Sequence, residues 1–426
     1  MSEKLTEVYD KYDIEVLGSR RGRGATILST PTGLHILEPF RSSESRLEQE
    51  HVLKGLLERE GFCEVDSIIP NKHGELITYD RYHQPFVLKK HFDGAECDMR
   101  NIAEVVRAIE KLAEFHICGQ KVSQCFPLEW ERTKQQKAKQ QLNEMKQALA
   151  EGEEIEQVAR IYGMSPAALR EIVKESEQTT QKSMPEENVI SSDEGVQGGK
   201  TRSQEDRAKE DERTSKKDTQ DGECTVLDTF IRHNRELRKI RKFVGGVKRK
   251  NSFENLFLKV FPEYYNKGLQ CEEIFGKVLQ AENSNHAKVV TNRHYGICHG
   301  NYNQHNVIMG DDATAIVHFE RFSRGNQLED LYQFARKVME KNHFDYEILE
   351  LLLSTYAKQI DISKEDYRYL YVLLSYPEKF WKIANSYYNT NKAFLSPKYV
   401  EKLLTVIEQE KEKNELLSQY YSFHLQ

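Results

Sequence analysis

Apolar and polar positions alternate in short runs over the first ninety residues. Ile14-Glu15-Val16-Leu17, Thr26-Ile27-Leu28 and Leu34-His35-Ile36-Leu37 read as strands separated by Gly or Pro turns. Ile68-Ile69, Leu76-Ile77-Thr78-Tyr79 and Phe86-Val87-Leu88 read as further strands. One helix interrupts them. Leu47, Val52, Leu53, Leu56 and Leu57 predict it over about Glu44 to Glu60, with Gly61 as its stop. From Met99 the period changes: Ile102, Val105, Val106, Ile109, Leu112, Ala113 and His116 step at helical spacing. Residues 131–223 are rich in Gln, Glu, Lys, Ser and Thr. Their first half, to about Glu177, has helical character. From Gln178 to Glu223 there is no aromatic residue and little apolar surface to offset ordering entropy, which predicts disorder. Structured pattern returns at Thr225, and aromatic-rich helices run from about Glu347 to the end.

These elements predict an α+β, two-lobed architecture. Residues 1–90 form a β-rich lobe and 91–130 begin a helical lobe. Residues 131–224 are an insertion, and 225–426 complete the helical lobe. Composition adds exclusions. A net charge of −6 over 426 residues carries no global nucleic-acid or membrane signal. No run of about 18 apolar residues occurs, so no membrane-spanning helix is expected. Met1-Ser2-Glu3-Lys4 is charged, which argues against a signal peptide. Seven scattered cysteines without a Cys-x-x-Cys pair fit free thiols and not a zinc site.

The chemistry sits in residues 297–320. His299-Gly300-Asn301, followed five residues later by Asn306, has the outline of a phosphotransferase catalytic loop. Such a loop needs a carboxylate to orient the acceptor hydroxyl and take its proton. Asn301 stands where that Asp belongs; it is neutral and a very poor base. Asn306 keeps the place of a metal-binding Asn. In Ala315-Ile316-Val317-His318-Phe319-Glu320, His318 stands where a second Asp would hold magnesium, a cation that takes hard oxygen ligands. The strand ending at Glu38 is where a phosphate-neutralising Lys is expected. It holds an acid instead, and the next lysines along the chain are Lys54 and Lys72. Glu48 or Glu50 on the following helix would be that Lys's partner. The turn Gly18 to Ala25, with Gly22, Arg23 and Gly24, offers backbone amides and arginines to an anion; an ordinary basic turn is the plain alternative. If any activity survives, ATP and magnesium are the implied cofactors. Glu320 would then supply a metal carboxylate, and Arg21 or Arg23 the missing positive charge.

Two further patterns lie outside the cleft. Residues 232–250 carry Arg232, Arg235, Arg238, Lys239, Arg241, Lys242, Lys248, Arg249 and Lys250, with apolar residues at helical spacing between them. This predicts a helix with one packed and one cationic face, either docking an acidic protein or polyanion or simply solvated. Gln157 to Ile172 has a helix-turn-helix outline, but its second helix carries as many acids as bases. DNA affinity rests largely on phosphate neutralisation, so nucleic-acid binding is not expected of it.

Taken together, several segments resemble the CotS family of bacterial spore coat proteins. They are Arg21-Gly22-Arg23-Gly24-Ala25, Phe86 to Asp98, His233-Asn234-Arg235-Glu236-Leu237, the loop outline, and Tyr376-Pro377-Glu378-Lys379-Phe380-Trp381-Lys382 with Asn385 to Asn389. That family is similar in fold to aminoglycoside and choline phosphotransferases, of protein-kinase-like architecture. The resemblance covers residues 1–130 and 225–426. It implies a protein made in the mother-cell cytoplasm and deposited on the spore coat, with other coat proteins as partners. The departures at Glu38, Asn301 and His318 point to a pseudokinase acting as a binding or scaffold component. The alternative is an active phosphotransferase on a small molecule or coat protein, through a rewired site.

Overall fold

A computed structural model of the chain describes residues 5–22, 24–150, 154–161, 164–166, 169–170, 226–282, 293–311, 313–389 and 397–426. It divides into two compact units, residues 1–127 with 224–426, and residues 128–223. In the first unit, β1 (Gly18–Arg21), β2 (Thr26–Thr30), β3 (Gly33–Pro39), β4 (Ile68–Ile69), β5 (Thr78–Tyr79) and β6 (Pro85–His91) form one antiparallel sheet. Its order is β1-β2-β3-β6-β4, with β5 also on β6. A short helix α1 (Thr6–Tyr9) precedes the sheet, and α2 (Glu44–Arg59) follows β3. Ser43 caps α2 by accepting from the Arg46 amide, and Gly61 with φ +91° ends it.

Period-two alternation gives each strand two different faces. Leu28, Leu37, Phe86 and Leu88 pack with Val8 and Tyr12 on one side. Val87 faces the other way, against Leu47 of α2, Ile68 and Ile77. Lys89, two residues beyond Val87, shares that second face, as does Glu38, one residue from Leu37. The β3–β6 register pairs Ile36 with Lys89 and Glu38 with Val87, so Glu38 and Lys89 are diagonal neighbours.

The strand expected over Ile14 to Leu17 does not form; only the Leu17 amide reaches across, to the Ser29 carbonyl. The strand begins instead at Gly18, inside the stretch expected to be a turn, because Gly18 to Arg21 pair with Thr26 to Ser29. The turn shrinks to residues 22–25.

The helical lobe contains the first part of α3 (Ile102–Ala150), then α5 (Val226–Gly246), α6 (Ser252–Glu282), α7 (Leu328–Lys341), α8 (Tyr346–Ala357), α9 (Lys364–Ser375), α10 (Glu378–Asn389), α11 (Lys398–Glu408) and α12 (Glu410–His424). Two small antiparallel sheets sit in it: β7 (Ala95–Glu96), β9 (Val307–Met309) and β10 (Thr314–Ile316), and β8 (Tyr295–Cys298) with β11 (Ser323–Asn326). Gly94, at φ +153°, lets the chain pass so close to Met309 that a Cβ would lie 2.4 Å from its carbonyl oxygen. In the second unit, Val158 and Ala159 of α4 (Ile155–Ile161) pack with Met145 and Leu169. The rest of the helix-turn-helix outline and the stretch 178–223 lie outside the described residues. No helix among the described residues is long and apolar enough to cross a membrane.

Candidate functional site

The loop after β8 is fixed by Asp330, a buried residue in the first turn of α7. Its carboxylate accepts from the His299 amide at 2.5 Å and the Gly300 amide at 2.9 Å. Gly300 has φ +72°, and a Cβ there would lie 2.1 Å from the Arg321 carbonyl oxygen, so only glycine fits. The His299 ring is fully buried. Its Nε2 donates to the Val317 carbonyl at 3.0 Å, and its Nδ1 accepts from the Asn301 amide at 3.2 Å. Burial holds its pKa below the ordinary value. A neutral imidazole with both nitrogens engaged orders the loop and leaves no free base.

Asn301 is half-buried in the loop. Its carbonyl accepts from the side chains of Asn303 at 2.7 Å and Asn306 at 2.9 Å. Asn306 in turn offers its own carbonyl to the Val317 amide at 3.0 Å, tying the loop to the strand that leads to His318. His318 lies in the left-handed region, φ +67°, a conformation that His tolerates better than most residues. Its amide donates to Asp66 at 3.1 Å, and its ring Nδ1 sits 3.3 Å from Glu320 Oε1. The Glu320 hydrogen bond raises the His318 pKa against the opposing effect of burial, with Asp66 adding to the rise. Burial alone would raise the Glu320 carboxyl. The His318 bond and Lys89 outweigh it and hold the group below the usual carboxylate range.

The expectation that Glu38 has no lysine near it is corrected by the fold. Lys89 Nζ lies 2.8 Å from Glu38, 3.3 Å from Glu320, and 3.9 Å from both Glu50 and Asp66. Lys54, one turn along α2 from Glu50, lies 2.5 Å from it and 2.6 Å from Asp66, and also donates to the Asp66 carbonyl at 2.8 Å. Sequence neighbours misled here because the lysine arrives from another strand, through the β3–β6 pairing. Burial would lower the Lys89 pKa, but Asp66, Glu50, Glu38 and Glu320 overcome it and raise it well above the ordinary value. On α2, Glu50 is 1% exposed and faces this cluster, whereas Glu48 is half-buried. Arg46 anchors the far side: its Nε donates to the Glu320 carbonyl at 2.9 Å, and its guanidinium lies 4.0 Å from the centre of the Phe322 ring.

The hairpin at residues 22–25 is held by the Gly22 amide on the Ala25 carbonyl, with Gly24 at φ +75°. Arg21 is exposed on β1; Arg23 lies outside the described residues. The residues of the cleft fit magnesium poorly. The His318 ring offers only nitrogen, Glu320 is engaged by His318 and Lys89, and the carboxylates of Glu50 and Asp66 face Lys54. No group of three or more His, Cys, Asp or Glu with the geometry of a metal site occurs among the described residues. Lys54, Asp66, Lys89 and Asp330 were not picked out in the sequence as site residues. The one legible signal was for Lys89, a charge at the end of an otherwise apolar strand, sharing the face of Val87.

A second polar cluster joins two of the motifs singled out in the sequence. His233 stacks on Trp381 with ring centres 3.3 Å apart, and its Nδ1 lies 3.4 Å from Glu378. The Trp381 indole donates to Glu236 at 2.7 Å. Tyr376 donates to Asn234 at 3.1 Å and stacks on Phe230 at 4.0 Å, while Asn234 donates to Glu272 at 2.9 Å. Burial would raise the Glu378 carboxyl, but His233 and Lys382 hold it at about 2.

Solved structures share the fold to different extents. A crystal structure of an aminoglycoside phosphotransferase from Alicyclobacillus acidocaldarius subsp. acidocaldarius DSM 446 superposes with a TM-score of 0.64 at 13% identity, over 98% of this chain and 95% of that one. A spectinomycin phosphotransferase in an AMP-bound complex gives 0.48 at 9% identity, over 97% and 96%. A choline kinase from Cryptosporidium parvum Iowa II gives 0.43 at 9%, over 96% and 91%. No curated protein matches. Residues 235–420 match the family described as "Spore coat putative kinase YutH". That match spans less than half of the chain, and as a whole the chain has the two-lobed, kinase-like fold of the aminoglycoside phosphotransferases.

Proposed function

We propose that this chain is a spore coat component that uses a kinase-like fold for binding and not for phosphoryl transfer. It would be made in the mother-cell cytoplasm and deposited on the coat with other coat proteins as partners. The observation that carries the reading is Lys89. Its ammonium group is 3% exposed and closed in by Glu38, Glu50, Asp66 and Glu320, so its charge is already matched. A lysine that neutralises nucleotide phosphates must be free to meet them. Asn301 supports the same reading, since a general base alone is worth roughly 10²–10⁴-fold in rate.

One observation favours a second reading, a rewired phosphotransferase. Lys89 does bring an ammonium group within 3.9 Å of the α2 carboxylate Glu50, and Glu320, 38% exposed, lies beside His318, which stands where the metal-binding acid is expected. The two readings separate in a direct assay. Purified protein with millimolar MgATP should show no thermal shift and no phosphate transfer above the enzyme-free rate. Turnover at an ordinary enzymatic rate sinks the binding reading. An Asn301→Asp/His318→Asp variant that gains turnover would show that the cleft retains phosphotransferase geometry and lacks only its acids.

A further inference from the structure

Helix α5 presents a surface that the cleft does not use. Its buried positions Phe230, Leu237, Ile240 and Val244 fill the core, so its apolar face is spent. Arg232, Arg235, Arg238, Lys239, Arg241 and Lys242 are all exposed on the remaining faces. Lys248 and Arg249 continue the charge past the helix end. Between residues 232 and 250 the sequence holds nine cations and a single carboxylate, in a chain whose net charge is −6. That carboxylate, Glu236, already accepts from the Trp381 indole.

Solvated helix faces elsewhere in this protein look different. Lys267 pairs with Glu263, Lys277 with Glu273 and Lys411 with Glu415, each at i,i+4. Along α5, Arg235, Arg238, Lys239 and Lys242 have no carboxylate within ion-pair distance among the described residues. They face one another at i,i+3 and i,i+4, where like charges repel by about 0.2–0.5 kcal/mol per pair. An anionic partner would relieve that repulsion. At the end of the stripe stands an apolar anchor point. Phe243 and Tyr388 are 40% and 45% exposed and meet edge to face, ring centres 5.3 Å apart. Phe243 is four residues from Lys239, so the aromatic pair borders the charged stripe.

We infer that α5 docks an acidic segment of another protein, with an apolar residue of that segment seated on Phe243 and Tyr388. The stripe from Arg232 to Lys242 spans about 15 Å at 1.5 Å per residue. An extended segment covers that in about five residues. A lipid surface fits less well, because the helix has no apolar face left to insert. Duplex DNA would leave the aromatic pair unused, whereas exposed aromatic residues are enriched in protein interfaces. This inference is independent of whether the cleft binds nucleotide.

The test uses the full chain and a labelled twelve-residue peptide of Glu and Asp with one central Leu, read by fluorescence anisotropy at low salt. The peptide should bind at least tenfold more tightly than its Gln and Asn counterpart, and more tightly than duplex DNA or phosphatidylserine vesicles. Arg235→Glu/Arg238→Glu/Lys242→Glu should weaken binding at least tenfold. The matching Gln triple should weaken it about fivefold, which covers the case in which charge reversal disturbs folding. Phe243→Ser should weaken it about threefold. Equal binding of the neutral peptide, tighter binding of DNA or vesicles, or indifference to both triple variants overturns the inference. So does self-association of the wild type that both triples abolish, which would make a second copy the occupant.

Discussion

Two of the buried polar clusters among the described residues, one around Lys89 and one around Trp381, are built on opposite principles. Around Lys89 the groups are nearly all charged: two lysines are set among Glu38, Glu50, Asp66 and Glu320, with His318 at the rim. Around Trp381 the groups are mostly rings and amides: His233 on Trp381, Phe230 on Tyr376, and Asn234 between Tyr376 and Glu272. The first occupies the place where kinase-like proteins do chemistry. The second lies wholly in the helical lobe, within or beside the residues that match the spore coat family. The matched residues also include His318 and Glu320 of the first cluster, so the family likeness touches both.

The difference predicts different responses to truncation. Removing one partner of a buried ion network leaves the others uncompensated, at a cost of about 3–5 kcal/mol. Lys89→Met should therefore cause one of the largest losses of stability of any single substitution, measured by urea denaturation. Adding Glu38→Gln to it should recover part of the loss, because one stranded carboxylate is then neutral. If the double variant is no more stable than the single, Glu38 and Lys89 are not the pair that the fold indicates. In the helical lobe, Trp381→Ala removes a ring stacked on His233 and the donor to Glu236. It should cost about 3 kcal/mol, in the range of large-to-small aromatic truncations. Trp381→Phe should recover most of the packing and leave only the indole hydrogen bond unmade, a loss of about 1 kcal/mol.

The same contrast explains what the sequence could and could not say. The helix at Glu44 to Arg59 was legible because its apolar spacing and Gly61 stop agree. The loop His299 to Asn306 was legible because its spacing is local. The salt cluster was not, since Glu38, Glu50, Asp66 and Lys89 are brought together by strand register and by the packing of α2, and register is a property of two segments at once. Strand β1 was read four residues early for a related reason. Ile14 to Leu17 alternates well, but Gly18 to Arg21 is the segment in register with β2. The joining of His233 with Trp381 was likewise out of reach, although each motif had been singled out separately.

The finest distinction between the clusters is in their response to pH. Glu378 has a folded value of about 2, below its ordinary 4.5. A depressed carboxyl stabilises the fold above its unfolded value, and that stability is lost as pH falls through the folded value. The helical-lobe cluster should therefore weaken between about pH 4.5 and pH 2. His318 has the opposite sign, because Glu320 raises its folded value above the ordinary 6.5. Its contribution is fully present below that ordinary value and is lost as pH rises through the folded value. The cleft should loosen as pH rises above the ordinary histidine value, and only slightly, because the His318 side chain is 46% exposed and solvent screens the pair. Denaturation midpoints measured from pH 3 to pH 9 on wild type, Glu378→Gln and His318→Asn separate the two. Glu378→Gln should flatten the acid limb alone, and His318→Asn the shallow high-pH limb alone. A high-pH limb that persists in His318→Asn would mean that the histidine is not charged in the folded cleft, and that Lys89 alone balances Glu320.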